Sequence, residues 1–493
     1  MSDDVRLFNT LSRQLESFAP ADGHTVRLYT CGPTVYKPAH LGNFRTFLFE
    51  DLLRRTLRLR GWAVEQVMNL TDVDDKIIRD AAREGKQIGE ITGPVSEIFA
   101  ADRDYLRIEP AEHYPRATEY IPQMIALVAR LEERGLAYQA EDGSVYFAIR
   151  RFPDYGKLSR LDTREIKAGA RVAQDDYTKE NAQDFALWKA AKPEDEATGA
   201  AWDSPWGRGR PGWHLECSAM AMSILGETLD LHCGGVDLIF PHHEDEIAQS
   251  EGATGKPFAR CWCHGEFQLT DGTKMAMRLG NVSTVADLRA QAISAAALRH
   301  VMFSTHYRQQ LNFTPEQLEA SMKATLRLAE FWSRLQEATA GTAALGEAAD
   351  RLVERARAAL FDDLNAPQAL AAVFDFVRAA NAELDRGGAD AAAVRRAREG
   401  FLQVNAVLDL LPLPATRLAA GEGDGERAPA VLSATGVAVP ADVVAWVEER
   451  IAERQAARAR RDFASSDAIR AELEARGVEL KDTPAGARWR LVR

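Results

Sequence analysis

Apolar residues recur every third or fourth position in LGNFRTFLFEDLLRRTLRLR, where Leu41, Phe44, Phe47, Leu48 and Leu52 share one face. This period predicts an amphipathic helix over residues 41–60, stopped by Gly61. TVRLYTC before it and AVEQVMNL after it are rich in strand-forming residues. Two strands joined by a helix of this length form a βαβ unit and therefore a parallel sheet. Ligands bind such sheets beyond the carboxyl ends of the strands, which is where CGPTVYKPAHLGN falls.

Residues 105–201 read as mostly helical with irregular stretches, and strand-like segments resume at LDLHCGG and RCWCHGEFQL. The pattern predicts one sheet domain in two halves, residues 1–104 and 202–313, separated by an insertion over 105–201. Long helices rich in Ala, Leu, Arg and Glu over 314–411 predict a helix bundle. A stretch rich in Pro, Gly and Ala over 412–440 reads as a linker, and 441–493 as a small terminal module. The expected class is α/β, with the bundle and a small α/β module after the sheet domain.

At 493 residues the chain exceeds what one hydrophobic core organises, which fits two to four domains. No window approaches the roughly 20 apolar residues that span a bilayer, and the start MSDDVRLFNTLSRQLESF lacks a basic-then-apolar layout. A cytoplasmic protein with no membrane association is expected. Composition does not fix the oligomeric state, for which a monomer is the expectation. Five scattered cysteines argue against a disulfide framework and for thiols that pack or bind metal. The net charge of -12 excludes a whole-surface nucleic-acid binder but not a local basic patch. From Arg450 onward eleven Lys/Arg stand against seven Asp/Glu.

Three constellations carry candidate chemistry. In CGPTVYKPAHLGNFRT, His40 and Gly42 at the mouth of a helix can meet a phosphate with a side-chain donor and backbone N–H groups; they fit equally a cap and a turn glycine. In GWHLECSAM and HCGGVDLIFPHHEDEIAQS, His242 and Glu246 lie four apart and share a helical face. Cys31 and Cys217 can complete a tetrahedral zinc site with them, although an acidic first turn and a small buried residue explain the same letters. In TDGTKMAMRLGNVST, Lys274 and Arg278 flank Met275 and Met277 in a Gly-containing loop that can neutralise phosphate charge or be a solvated turn. CWCH, residues 261 to 264, has a spacing short for a zinc knuckle and reads as core.

Taken together, LYTCGPTVYKPAHLGN, NLTDVDDKI, PGWHLECSAM, GGVDLIFPHHEDEIAQS, HYRQQLNF and the tail RDFASSDAIRAELEARGVELKDTPAGARWR resemble the cysteinyl-tRNA synthetases, a class I family, over essentially the whole length. The resemblance implies a Rossmann-like catalytic domain that activates L-cysteine with ATP and magnesium and passes it to tRNA(Cys). It implies catalytic roles for His40, Asn43, Lys274 and Arg278, and contacts of Gly42, Trp213, Glu216, Gly235, Asp237 and Met277 with ATP or the adenylate. Cys31, Gly32, Thr71 and Trp213 would meet the substrate cysteine. Cys31, Cys217, His242 and Glu246 would hold one zinc ion, which favours a thiolate over the hydroxyl of serine and makes an editing domain unnecessary.

Two departures from the family pattern stand out. Asn43 replaces the second histidine of the HIGH-type signature, and KMAMR replaces KMSKS, with Met277 at the second lysine and Arg278 where a serine is usual. The helix bundle and basic module match the tRNA-binding parts. Two rival readings are a ligase that joins cysteine to a small amine, which has little use for the basic tail, and a non-catalytic sensor of cysteine or tRNA.

Overall fold

The predicted strand, helix and strand are β1 (Thr25–Thr30), α1 (Leu41–Arg60) and β2 (Ala63–Met68) in the computed structural model, which describes residues 4–160, 184–270, 273–274, 283–411, 441–460, 462–476, 478–483 and 486–491. Leu41, Phe44, Phe47, Leu48 and Leu52 are all buried on α1, as their spacing requires. The helix ends at Gly61, whose φ of 99° is left-handed and disfavours a side chain there.

Four further elements complete the sheet layer: α2 (Trp213–Leu225), β3 (Leu229–Gly235), α3 (Glu244–Thr254) and β4 (Ala259–Gly265). The strand order is β4-β3-β1-β2, with every pairing parallel. All seven residues of β3 are buried, which a strand covered on both faces requires. The chain winds one way through β1, α1 and β2 and the other way through β3, α3 and β4. The switch between β1 and β3 opens a crevice at their carboxyl ends.

The stretch over 105–201 departs from its predicted helical character. Helix Ile121–Glu133 is followed by a four-stranded antiparallel sheet of Ala137–Gln139, Val145–Phe147, Phe185–Ala190 and Gly209–Pro211, in that spatial order. Three of these strands have three residues, too few to reveal an alternating period. Tertiary packing stabilises them, as where Phe147 stacks on Phe185 at 5.0 Å between ring centroids.

The chain divides into two compact units. One comprises Met1–Val285, Thr305–Asn312 and Ala356–Ala369 and contains the parallel sheet. The other comprises Ala286–Ser304, Phe313–Arg355 and Leu370–Arg493. Its helices include Pro315–Glu337 and Ala391–Leu408, whose Phe331, Trp332 and Phe401 pack ring to ring. Helices Ala441–Ala459 and Phe463–Ala475 with the hairpin Val478–Thr483 and Gly486–Leu491 form the small α/β module, centred on Val447, Ile451, Leu473 and Val478. Among the described residues no helix is long and apolar enough to cross a membrane.

Candidate metal and adenylate site

Cys31 is the first residue past β1, and its N–H donates to the carbonyl of Cys233 on β3 at 3.2 Å, which fixes the thiol at the switch point. The next residue must be glycine: a Cβ on Gly32 would lie 1.8 Å from the carbonyl oxygen of Asn69. The Gly32 N–H donates to Asn69 Oδ1 at 2.9 Å, and Asn69 Nδ2 donates to Thr71 Oγ1 at 3.1 Å. Thr71 is thereby held, buried, beside the strand end.

α2 brings Cys217 to the same place, and a kinked turn over Ile239–His243 leading into α3 brings His242 and Glu246. One ligand atom from each of Cys31, Cys217, His242 and Glu246 lies within 4.8 Å of the others, and all four residues are buried. Two thiols, an imidazole and a carboxylate in a water-excluded pocket fit a zinc ion by softness and number. The predicted quartet, spread over more than two hundred residues of sequence, is therefore brought together.

The groups of this pocket are tuned by each other. Burial pushes the Glu246 carboxyl up, but His232 Nε2 at 2.6 Å and His242 Nε2 at 2.9 Å outweigh it and bring it to about 2. Burial lowers His242, yet Glu246 and Cys217 prevail and raise it to about 10. A hydrogen bond from Cys31 lowers the Cys217 thiol to about 6 against the effect of burial, while burial and Cys217 hold Cys31 well above its ordinary range. Cys217 and Glu246 are thus favoured as anions beside a protonated His242, whose proton must leave before the ring can ligate a metal.

Trp213, the first residue of α2, is 37% exposed and stacks on His242 with ring centroids 4.4 Å apart. Glu216 is buried one turn on, and burial, then Cys217, raises its carboxyl well above the usual range; Thr71 hydrogen-bonds it. Gly235 ends β3, and Asp237 follows, exposed, in the turn Val236–Leu238.

At the other side of the β1 end, His40 caps α1. Its Nδ1 accepts from the Asn43 N–H at 3.3 Å, and its own N–H donates to Asn43 Oδ1 at 3.1 Å. The two signature residues thus form a reciprocal capping box, and Gly42 lies in the first turn. The Leu41 N–H donates to the Ser283 carbonyl at 2.9 Å and His40 bridges to Thr284, so the end of the basic loop reaches this helix mouth. Lys274 belongs to the short strand Thr273–Lys274, paired with Gln268–Thr270. Met275, Met277 and Arg278 lie outside the described residues.

The model for the class I (C) tRNA synthetase catalytic domain matches residues 17–323, and that for the DALR domain matches 355–412. The cysteine–tRNA ligase of Chlamydia pneumoniae is 45% identical over 98% of both chains, and that of Koribacter versatilis is 44% identical over 99% of both. The chain belongs to the cysteine–tRNA ligase family. The fold agrees: Mycobacterium tuberculosis methionyl-tRNA synthetase in complex with methionyl-adenylate aligns with a TM-score of 0.57 at 16% identity, over 78% of this chain and 90% of that one.

In this family member a mostly buried histidine network, outside the expected site residues, surrounds the quartet. His214 Nδ1 lies 2.8 Å from His242 Nδ1, and its Nε2 is 3.4 Å from Asp245, which also accepts from the Tyr155 hydroxyl. His243 Nδ1 is 2.8 Å from His264 Nε2, and His264 Nδ1 is 2.8 Å from Thr10 Oγ1. Burial holds His214 and His243 well below the ordinary imidazole range, so both stay neutral. The signal was present in HCGG and CWCH, since a histidine near the carboxyl end of a buried parallel strand points to the crevice. CWCH was read as core, and Cys261 and Cys263 are buried, but His264 beside them serves the pocket.

Proposed function

We propose that this protein activates L-cysteine with ATP to cysteinyl-adenylate and transfers the cysteinyl group to the 3' end of tRNA(Cys). The observation that carries this reading is the buried Cys31, Cys217, His242 and Glu246 quartet at the switch point of a class I sheet. These four residues would hold a zinc ion, which when bound offers a Lewis acid that a substrate thiolate coordinates far better than a serine hydroxyl does.

In the first step the cysteine carboxylate attacks the α-phosphate and pyrophosphate leaves, so catalysis consists of positioning and charge stabilisation. Cys31, Gly32, Thr71 and Trp213 enclose the amino acid. His40, Asn43 and the first turn of α1 at Gly42 meet the phosphates, where the helix N-terminus favours negative charge. Lys274 and Arg278 neutralise the leaving pyrophosphate, and Mg2+ bound with ATP would share that charge. Trp213, Glu216, Gly235, Asp237 and Met277 border the adenylate.

The DALR domain and the basic residues after Arg450 support contact with the tRNA stem through phosphates. In this reading 1–104 and 202–313 form the catalytic domain, 105–201 its connective insertion, 314–411 a tRNA-binding bundle, 412–440 a linker and 441–493 an anticodon-binding module. The protein acts as a cytoplasmic monomer.

Purified protein with ATP, magnesium, cysteine and cognate tRNA should form cysteinyl-tRNA. Cysteine-dependent pyrophosphate exchange without transfer would favour a ligase acting on a small amine. The absence of both reactions would favour a non-catalytic sensor and overturn the proposal.

A further inference from the structure

The pocket contains a second set of four donors. Cys31, His232, His243 and Glu246 also each place a ligand atom within 4.8 Å of the others, and all are buried. Cys31 and Glu246 are common to both sets, so the second differs from the first by exchanging Cys217 and His242 for His232 and His243. The carboxylate serves the two sides separately: Glu246 Oε1 lies 2.9 Å from His242 Nε2, and Oε2 lies 2.6 Å from His232 Nε2. His243 Nε2 is 3.3 Å from Cys31 Sγ.

The second set is also supported from behind. The His243 ring is oriented by its contact with His264, itself held by Thr10, the kind of outer partner that fixes a ligating imidazole. Gly234 lets that ring approach, since a Cβ there would meet His243 Cε1 at 2.9 Å. His232 is packed against Trp262 with centroids 4.5 Å apart, which fixes its plane.

We propose that Cys31, His232, His243 and Glu246 form a second, overlapping position for a divalent cation, occupied in place of the Cys217 position and never beside it. Charge sets the exclusion. The two sets together offer three anionic groups, Cys31, Cys217 and Glu246, and two dications in a buried pocket would leave positive charge uncompensated. The second set alone supplies one thiolate and one carboxylate, which neutralise one dication. Donor softness sets the preference: the two-thiolate set suits zinc, whereas two imidazoles suit a cation with greater affinity for nitrogen. The second position is used when the Cys217 thiolate is removed.

This inference rests on the reading of the first quartet as a metal site. Co2+ added to the full-length chain, followed by its thiolate charge-transfer and ligand-field bands with metal analysis after dialysis, tests both. Wild type should show the intensity of two thiolates. Cys217→Ala should retain about one Co2+ per chain with tetrahedral bands and about half the charge-transfer intensity. Adding His232→Gln in that background should weaken Co2+ binding by roughly 100-fold. Cys217→Ser replaces Cys217→Ala if the alanine variant does not fold by circular dichroism. Wild type that binds Co2+ while folded single variants of Cys217 do not would overturn the second position alone, as would undiminished binding by the double variant. Wild type that binds none would remove the first position and the inference with it.

Discussion

Two regions flank the carboxyl end of β1 within a few residues of each other, and they solve opposite electrostatic problems. On one side, Cys31 enters a sealed pocket in which Cys217, His242 and Glu246 neutralise one another and water is excluded. On the other, His40 and Asn43 close the start of α1 at a helix mouth that is only partly buried. In the proposed function the sealed side discriminates between side chains, and discrimination needs fixed, desolvated donors. In the same proposal the open side admits and releases a polyphosphate, for which a capped helix start offers backbone N–H groups and one adjustable side chain. If the proposed roles hold, selection and phosphate chemistry are separable because one strand end serves both faces of the crevice.

Substitutions can break that separation. His40→Ala should lower cysteine-dependent pyrophosphate exchange by about 10²–10³-fold, the cost of losing a charge-stabilising donor, while zinc content stays constant. Cys217→Ala should instead reduce selection of cysteine over serine by about 100-fold, measured as a ratio of exchange rates. If both variants lose selection and rate alike, the two regions act as one site and the comparison fails. A smaller effect, about tenfold in exchange rate, is expected for Arg278→Ala, comparable to the loss of one charge-assisted contact. An unchanged rate would mean that Lys274 suffices and that the arginine does not replace the family lysine.

The last effect is on stability rather than rate and concerns the buried face of α1. Glu50 is fully buried, and among the described residues neither carboxyl oxygen has a hydrogen-bond partner; burial pushes its carboxyl well above the usual range. A raised folded value means that the stabilising contribution is complete below the unfolded carboxyl range and is lost as pH rises toward and through the folded value. Glu50→Gln has nothing to lose in that window. Denaturant unfolding should therefore find the variant equal to wild type near pH 5 and more stable by about 1–3 kcal/mol near pH 8. Equal stability at both pH values would show that Glu50 is not an isolated buried acid.

How much was legible in advance follows from the range of each signal. α1 announced itself through twenty residues of 3.6-residue period and a terminal glycine, all local information. The strands Ala137–Gln139, Val145–Phe147 and Gly209–Pro211 did not, because three residues carry no period and the pairing energy comes from distant partners. For the metal quartet, residue spacing alone favours ordinary packing over a zinc site, and only the family resemblance reverses that balance. His232 and His264 lie on strands and His243 in the turn before α3, and which rings they meet depends on segments far apart in the chain.

The sequence by itself determined where helices and long buried strands form and which family pattern they follow, since hydrophobic period, caps and motif order are properties of contiguous residues. Only the tertiary structure decided that Cys31 shares Glu246 with two sets of donors. It also decided that His40 meets the end of the basic loop and that, among the described residues, the buried Glu50 carboxyl has no hydrogen-bond partner. The physical reason is that desolvation and charge pairing depend on distance through space, and the parallel sheet brings residues far apart in the chain to the same strand ends.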